Sequence, residues 1–406
     1  MSDWKICKLG EIADVKLSNV DKKTNSDEIS VRLCNYTDVY KNDFINAHKA
    51  ETFMVASCND NEFEKFILRK GQVAITKDSE KRDDIGISTY ISEDFEDVVL
   101  GYHLSLITPN ENHLDGRFLH YWFNTQLAKT YFENNAGGSG QRCTLPIDII
   151  KSIPVHLPEI EIQKRISSIL SKLEKKIEIN NRINDNLEAL AKTIYDYWFV
   201  QFDFPDENGK PYKSSGGKMV YNEVLKREIP DGWEVKSLED SFKIKKGTLI
   251  TEKTANKVGK IKVVSAGVDF SYFHDRSNFA ENTITISASG ANAGLINFWR
   301  EPIFACDCTT VRGKNLSETL FALEFLKSVQ DHIFNQAKGS AQPHVYPKDI
   351  EILKYAEPSY VLLNDYGKLV TPLNQQISNN LKENQELTQL RDWLLPMLMN
   401  GQVSVK

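Results

Sequence analysis

The chain has 406 residues, of which 41% are hydrophobic and 26% charged, and its formal net charge is −6. A chain of this length needs two or three cores, and the balance is that of an ordinary globular protein, which excludes disordered and fibrous classes. The acidic total argues against indiscriminate coating of nucleic acid, which rests on Lys and Arg neutralising phosphates.

No run of eighteen apolar residues occurs, so no membrane span is expected. The opening MSDWKICKLGEIADV carries acids and lacks the apolar region of a signal peptide, which points to a cytoplasmic location. Of the six cysteines only Cys306 and Cys308 are close, and no second Cys or His pair nearby completes a tetrahedral metal site. Reduced, partly buried thiols are expected.

WKICKLGEIADVK (4–16) reads as a strand, a short turn or helix, and a second strand, and WEVKSLEDSFKIK (233–245) repeats it. From residue 17 to about 110 a period of two dominates, in ISVRLCNY, GQVAITK and DVVLGYHLSLIT, which predicts a mixed sheet domain. RFLHYWFNTQLAKTYFENNA (117–136) has helical spacing and ends at Gly137–Gly138; ETLFALEFLKSVQDHIFNQA (318–337) is its counterpart, followed by Gly339. After each comes a repeated clause. Asn134, Ala136, Gly138, Ser139, Gln141, Pro146, Asp148 and Ile149 recur at a constant offset of 201 residues, ending at Pro347, Asp349 and Ile350. Each copy is expected to be a loop leading to a strand.

Beyond Pro158 a long helical pattern carries Ile166, Leu170, Leu173, Ile177, Asn180, Asn184, Leu187, Ala191, Ile194 and Trp198 at alternating steps of four and three. The same phase returns 200 residues later in Tyr366, Val370, Leu373, Ile377, Asn380, Asn384, Leu387, Arg391, Leu394 and Leu398. Matched seams over about five heptads predict two helices that pack on each other. Asn180, Asn184, Asn380 and Asn384 are expected to fix register, since a buried Asn penalises any pairing that denies it a polar partner. QFDFPDENGKPYKSSGGKMVYNEVLKREIPDG (201–232) reads as a linker.

Catalytic signatures are missing: no phosphate loop, no H-E-x-x-H, no nucleophile elbow and no dinucleotide fingerprint. PDGWEVK (230–236) superficially mimics a metal nuclease, but one turn cannot gather carboxylates from separate elements, so it reads as a turn entering a strand. No catalytic and no metal-ligating residues are assigned. Two globular halves, each followed by a long helix, close into a pseudo-symmetric body if the helices run antiparallel. Double-helical DNA offers a matching pattern of two half-sites of opposite orientation.

The run G-S-G-Q…L-P…I-K-S-I-P-V-H-L-P into EIQKRISSILSKLEKKIE, with IYDYWFVQFDFPDENGKPYKSSGGKMV and IPDGWEVKSLED at the joint, resembles the specificity subunits of type I restriction-modification systems. The resemblance implies an α+β fold with two pseudo-symmetric mixed α/β target-recognition domains separated by two long antiparallel coiled-coil helices. The ranges expected are 1–157 for the first domain, 158–200 for the first helix, 201–231 for the linker, 232–358 for the second domain and 359–406 for the second helix. It also implies a non-catalytic subunit that reads double-stranded DNA, partnered by two methyltransferase subunits and by restriction subunits. S-adenosylmethionine, ATP and Mg would sit on those partners, with no cofactor on this chain. A scaffold with two β-rich ligand-binding domains is the alternative, and the acidic charge keeps it open.

If the loops after the helices face DNA, Gln141 and Gln342 offer donor and acceptor to adenine, and Arg142 can grip guanine. A glutamine occurs at this place in both copies, which favours a turn-shaping role, because unlike half-sites call for unlike readers. The better specificity candidates differ between the copies: Lys77, Lys81 and Arg82 in TKDSEKRDD (76–84), Ser289 and Asn292 in SASGANAG (287–294), and Lys338 and His344. His103 in GYHLSL completes the set. A solvated charged hairpin tip is the plain alternative for Lys81 and Arg82.

Overall fold

The computed structural model describes residues 4–138, 142–256, 258–337 and 343–403. It forms two compact units, Met1–Glu178 with Asn384–Lys406, and Ile179–Glu383. Each therefore holds a globular part and half of each long helix.

In the first unit Lys5–Lys8 pairs antiparallel with Pro154–Leu157, and the turn Leu9–Ile12 leads into Ala13–Leu17, the edge of a five-stranded sheet. The order there is Ala13–Leu17, Leu104–Pro109, Val73–Thr76, Ser88–Ile91, Phe44–Ile45. Val73–Thr76 is buried throughout, as an apolar run between two neighbours must be. A second sheet places Ile29–Cys34 antiparallel to Met54–Cys58 and parallel to Val98–Leu100.

The second unit repeats this plan. Glu234–Ser237 pairs with Lys354–Glu357, and the four-stranded sheet runs Lys243–Lys246, Cys308–Arg312, Thr283–Ser287, Ile296–Trp299. Ile261–Val264 lies antiparallel to Phe270–His274 and parallel to Ile303–Ala305. The α+β class expected from the sequence holds.

Several local expectations change. The segment 117–136 is two helices, Gly116–Phe123 and Gln126–Asn135, because Thr125 caps the second by accepting from the Ala128 N–H. Its counterpart is likewise divided into Leu316–Ser328 and Gln330–Ala337. A short helix, Ile147–Ser152 or Pro347–Glu351, stands between each clause and its strand. The segment read as a linker is folded: Met219–Asn222 and Arg227–Pro230 form a hairpin, and Phe204 stacks on Tyr212 and Trp233 at 4.8 and 5.5 Å between ring centres.

The offset of the repeat is not constant either. Gly86 and Gly294, both at positive φ, press against Phe132 and Ile333, which are 201 apart. Leu145 donates to the Lys77 carbonyl and Val345 to the Ala288 carbonyl, which are matching bonds only 200 apart. One residue is dropped within the clause, so Ile150 and Ile350, both fully buried, correspond.

The long helices run Ile160–Tyr195, closing in a π-turn at Asp196–Val200, and Tyr360–Met399. Within each unit they are antiparallel. Ile166 and Leu170 share a core with Leu394 and Leu398 in the first, and Trp198 and Phe199 pack on Tyr366 in the second. Every position of both predicted seams is buried or half-buried. In the second unit Asn380 donates to Asn184 at 2.8 Å and Asn180 to Glu383 at 2.7 Å.

Candidate nucleic-acid interface

The interface candidate in the first unit lies where the buried strand Val73–Thr76 leaves the sheet. Its extension Asp78–Ser79 bridges to Cys143–Thr144, while Lys77 donates from its backbone to the His103 carbonyl. That ladder brings Lys77, His103 and Arg142 together from three distant stretches of chain.

Asp78 is the hub. Its Oδ2 receives His103 Nδ1 at 2.5 Å and Lys77 Nζ at 3.2 Å, with only 10% of its side chain exposed. Burial opposes its charge, yet hydrogen bonds from Thr144 and His103 and the Lys77 ammonium prevail and hold the carboxyl below its ordinary range. Arg142 Nη2 stands 3.0 Å from His103 Nε2. Lys81 lines the same hollow of about 610 Å³, walled by Tyr36 and Tyr40, whose rings stack at 5.8 Å. Arg82 is turned aside and donates to the Gly138 carbonyl at 3.3 Å.

The second unit builds the same corner with other side chains. Ser289 bridges to His344, and Ser289 Oγ donates to Asp307 Oδ2 at 2.6 Å. Asn292 closes the 3-10 turn Gly290–Asn292 beside them, where the first unit has the turn Arg82–Asp84. Gln141, Lys338 and Gln342 lie outside the described residues. No group of His, Cys, Asp and Glu suited to a metal occurs among the described residues.

The sequence reading missed Asp78, Thr144, Tyr36, Tyr40 and Asp307. A signal existed for Asp307: it is the acid in the two-residue joint between the strands Ile303–Ala305 and Cys308–Arg312, where a bend at the sheet end puts a polar side chain. Tyr36 and Tyr40, four apart on the helix Tyr36–Lys41, share a face, but nothing local says what that face meets.

A two-domain α+β chain with a duplicated polar corner at the end of each main sheet defines a class, and comparison with known proteins gives it a family. The type I restriction modification DNA specificity domain matches residues 1–189 and 230–358, and the chain belongs to that family. It is 27% identical over 312 residues to the type I restriction enzyme MjaIX specificity subunit of Methanocaldococcus jannaschii, covering 71% of this chain and 69% of that protein. The HindI specificity subunit of Haemophilus influenzae is 24% identical, over 99% of this chain and all of that one. The crystal structure of a type I restriction-modification S subunit from M. genitalium superposes with a TM-score of 0.59, covering 98% and 96% of the two chains at 19% identity; it shares the fold. No helix among the described residues is long and apolar enough to cross a membrane.

Proposed function

We propose that this chain is the sequence-specific, non-catalytic DNA-recognition subunit of a type I restriction-modification complex. It reads a divided, asymmetric target with an unspecific gap, one part through each polar corner. Methyltransferase subunits dock on it and bring S-adenosylmethionine; restriction subunits bring ATP and Mg. The complex works in the cytoplasm.

One observation carries this reading. The two corners share the backbone hydrogen bonds made at Lys77 and at Ala288, yet the positions of Lys77, Asp78, His103 and Thr144 in the first are held by Ala288, Ser289, Asp307 and His344 in the second. A pair of readers for unlike sequences needs a constant frame and variable side chains. The buried Asn184–Asn380 pair fits a helix pair of fixed register.

The test is a pull-down of the full chain with its methyltransferase subunits, followed by footprinting on genomic DNA of the host. Two protected blocks separated by a tolerant gap are expected. A complex that captures protein or sugar ligands and leaves DNA unprotected would favour the scaffold instead.

A further inference from the structure

Arg142 is exposed, but it is not a loose side chain. Its Nη2 lies 3.0 and 3.2 Å from the two ring nitrogens of His103. His103 is in turn tied through Nδ1 to Asp78, so the guanidinium nitrogen, nearly equidistant from both ring nitrogens, rests over the face of an anchored imidazole. Moreover, His103 holds φ 73°, a left-handed conformation that a side-chain-bearing residue adopts at a cost of about 1–2 kcal/mol. Strain of this kind persists only where surroundings over-determine it; here the Asp78 bond and the Lys77 N–H to His103 carbonyl bond, at 3.0 Å, do so.

We propose that Asp78, His103 and Arg142 form a relay that reads a guanine in one half of the target, with Arg142 as the reader and Asp78 and His103 as positioning residues. The inference rests on the DNA-reading role proposed above. Guanine alone presents two neighbouring acceptors, O6 and N7, in the major groove, and a guanidinium fork meets both. Adenine offers one acceptor beside a donor, so one Arg N–H would face another. A phosphate contact asks only for a mobile positive charge. It gives no reason to bury a carboxylate and strain a histidine behind the arginine, whereas bidentate readout rewards a fork whose direction is fixed in advance. At the matching place the second unit puts Ser289 against Asp307, so the relay serves one half of the site only.

The experiment uses the full chain assembled with its methyltransferase subunits, incubated with randomised duplexes, and the bound fraction is sequenced. The wild type is expected to enrich two blocks with a gap, and one block contains a guanine. R142A should lower the preference for that guanine on the order of 10-fold or more and leave the other block intact. R142K, which keeps the charge, should retain affinity and lose the preference. D78N should weaken the same preference by less, with the second block as internal evidence of folding. Uniform weakening in R142A with an unchanged motif reduces Arg142 to a phosphate contact and overturns the proposal. An unchanged guanine preference in D78N removes the relay, and a wild-type motif lacking guanine in either block removes the reader. Enrichment of no motif at all is a different failure, that of the DNA-reading role itself.

Discussion

In the first domain a carboxylate at the strand end, Asp78, holds a histidine from the neighbouring strand; in the second the carboxylate is on that neighbour, Asp307, and a serine reaches across to it. The donor and acceptor have exchanged strands while the main-chain bonds from Lys77 to His103 and from Leu145 to Lys77 recur as those from Ala288 to Asp307 and from Val345 to Ala288. Positions that shape the corner do not vary in this way. Gly86 and Gly294 sit at φ 76° and 91° against Phe132 and Ile333, where a Cβ would come within 2.3 and 2.9 Å of the ring or branched chain. Backbone geometry punishes change at these sites, whereas the ladder bonds are indifferent to which side chain projects from the open end. Variation therefore collects where it alters chemistry without altering fold.

The helix seams differ in a second way. In the first unit Arg391 lies in the seam and bonds to Asp43 at 3.3 Å, close to Glu174, which Tyr121 contacts at 2.7 Å. Burial raises the Glu174 carboxyl above its ordinary value. In the second unit Asn374 takes the place of Glu174 and bonds to Arg300 at 2.8 Å, and Arg300 reaches Glu188 at 3.0 Å. Both units thus join helix pair to globular part through a shielded arginine, supplied from the helix in one and from the sheet in the other.

The largest effect tests whether the two seams are equal. Tyr366→Ala should cost about 3–5 kcal/mol and Ile166→Ala about 2–5 kcal/mol, read by hydrogen exchange within each unit separately. Tyr366→Phe should cost nothing or stabilise, because the Tyr366 hydroxyl is buried without a partner among the described residues. A large loss in Tyr366→Phe would show that the hydroxyl is satisfied after all.

Acid should separate the units next. His120 is buried against Ser88, and desolvation pushes it down to about 4. The folded chain keeps it neutral, so its contribution is whole above the ordinary imidazole value near 6.5 and drains as pH falls toward 4. The loss is up to about 3 kcal/mol at 1.36 kcal/mol per unit. The helix Leu316–Ser328 carries no histidine, so the second unit lacks this liability on that helix. Exchange rates followed from pH 7 to 4 should rise first in the first unit, and His120→Gln should cancel the difference. Equal acid sensitivity in wild type and variant would remove the assignment.

A smaller effect concerns the register pair. Asn184→Leu alone should cost about 1–3 kcal/mol by taking the acceptor from Asn380 Nδ2, whose Oδ1 keeps the bond from Gln376, while Asn184→Leu with Asn380→Leu should recover it. Additive losses in that cycle would mean the two do not act as a pair. Smallest is Arg82→Ala, which should reduce the salt slope of DNA binding by about one without touching the motif. A changed motif would promote Arg82 from phosphate contact to reader.

Much of the scaffold was legible in the residues. The seams at 166–198 and 366–398 were readable because a heptad stripe is a local pattern whose period alone states what must be buried. The paired Trp-led openings gave strand, turn and strand for a similar reason. Thr125 was harder: inside an apolar helical run its capping role shows only once the chain has turned there. The clause misled by one residue because eight identities outweighed the slip that hydrogen bonding reveals.

At the candidate site the sequence offered Lys77, Lys81, Arg82, His103 and Arg142 as separate polar residues and could not assemble them. Asp78, beside Lys77 in the chosen loop, was passed over, since a carboxylate is an unpromising neighbour for phosphate until its burial and its bond to His103 are known.

What the sequence determined by itself was the duplication, the helix phases and the lack of recognisable catalytic motifs, because these are matters of spacing along the chain. Tertiary structure alone decided that residues 78, 103 and 142 meet while 82 turns away, and that Asp307 answers His103. Such pairings depend on strand register between segments tens of residues apart. No local pattern encodes that distance; only the closing of the sheet does.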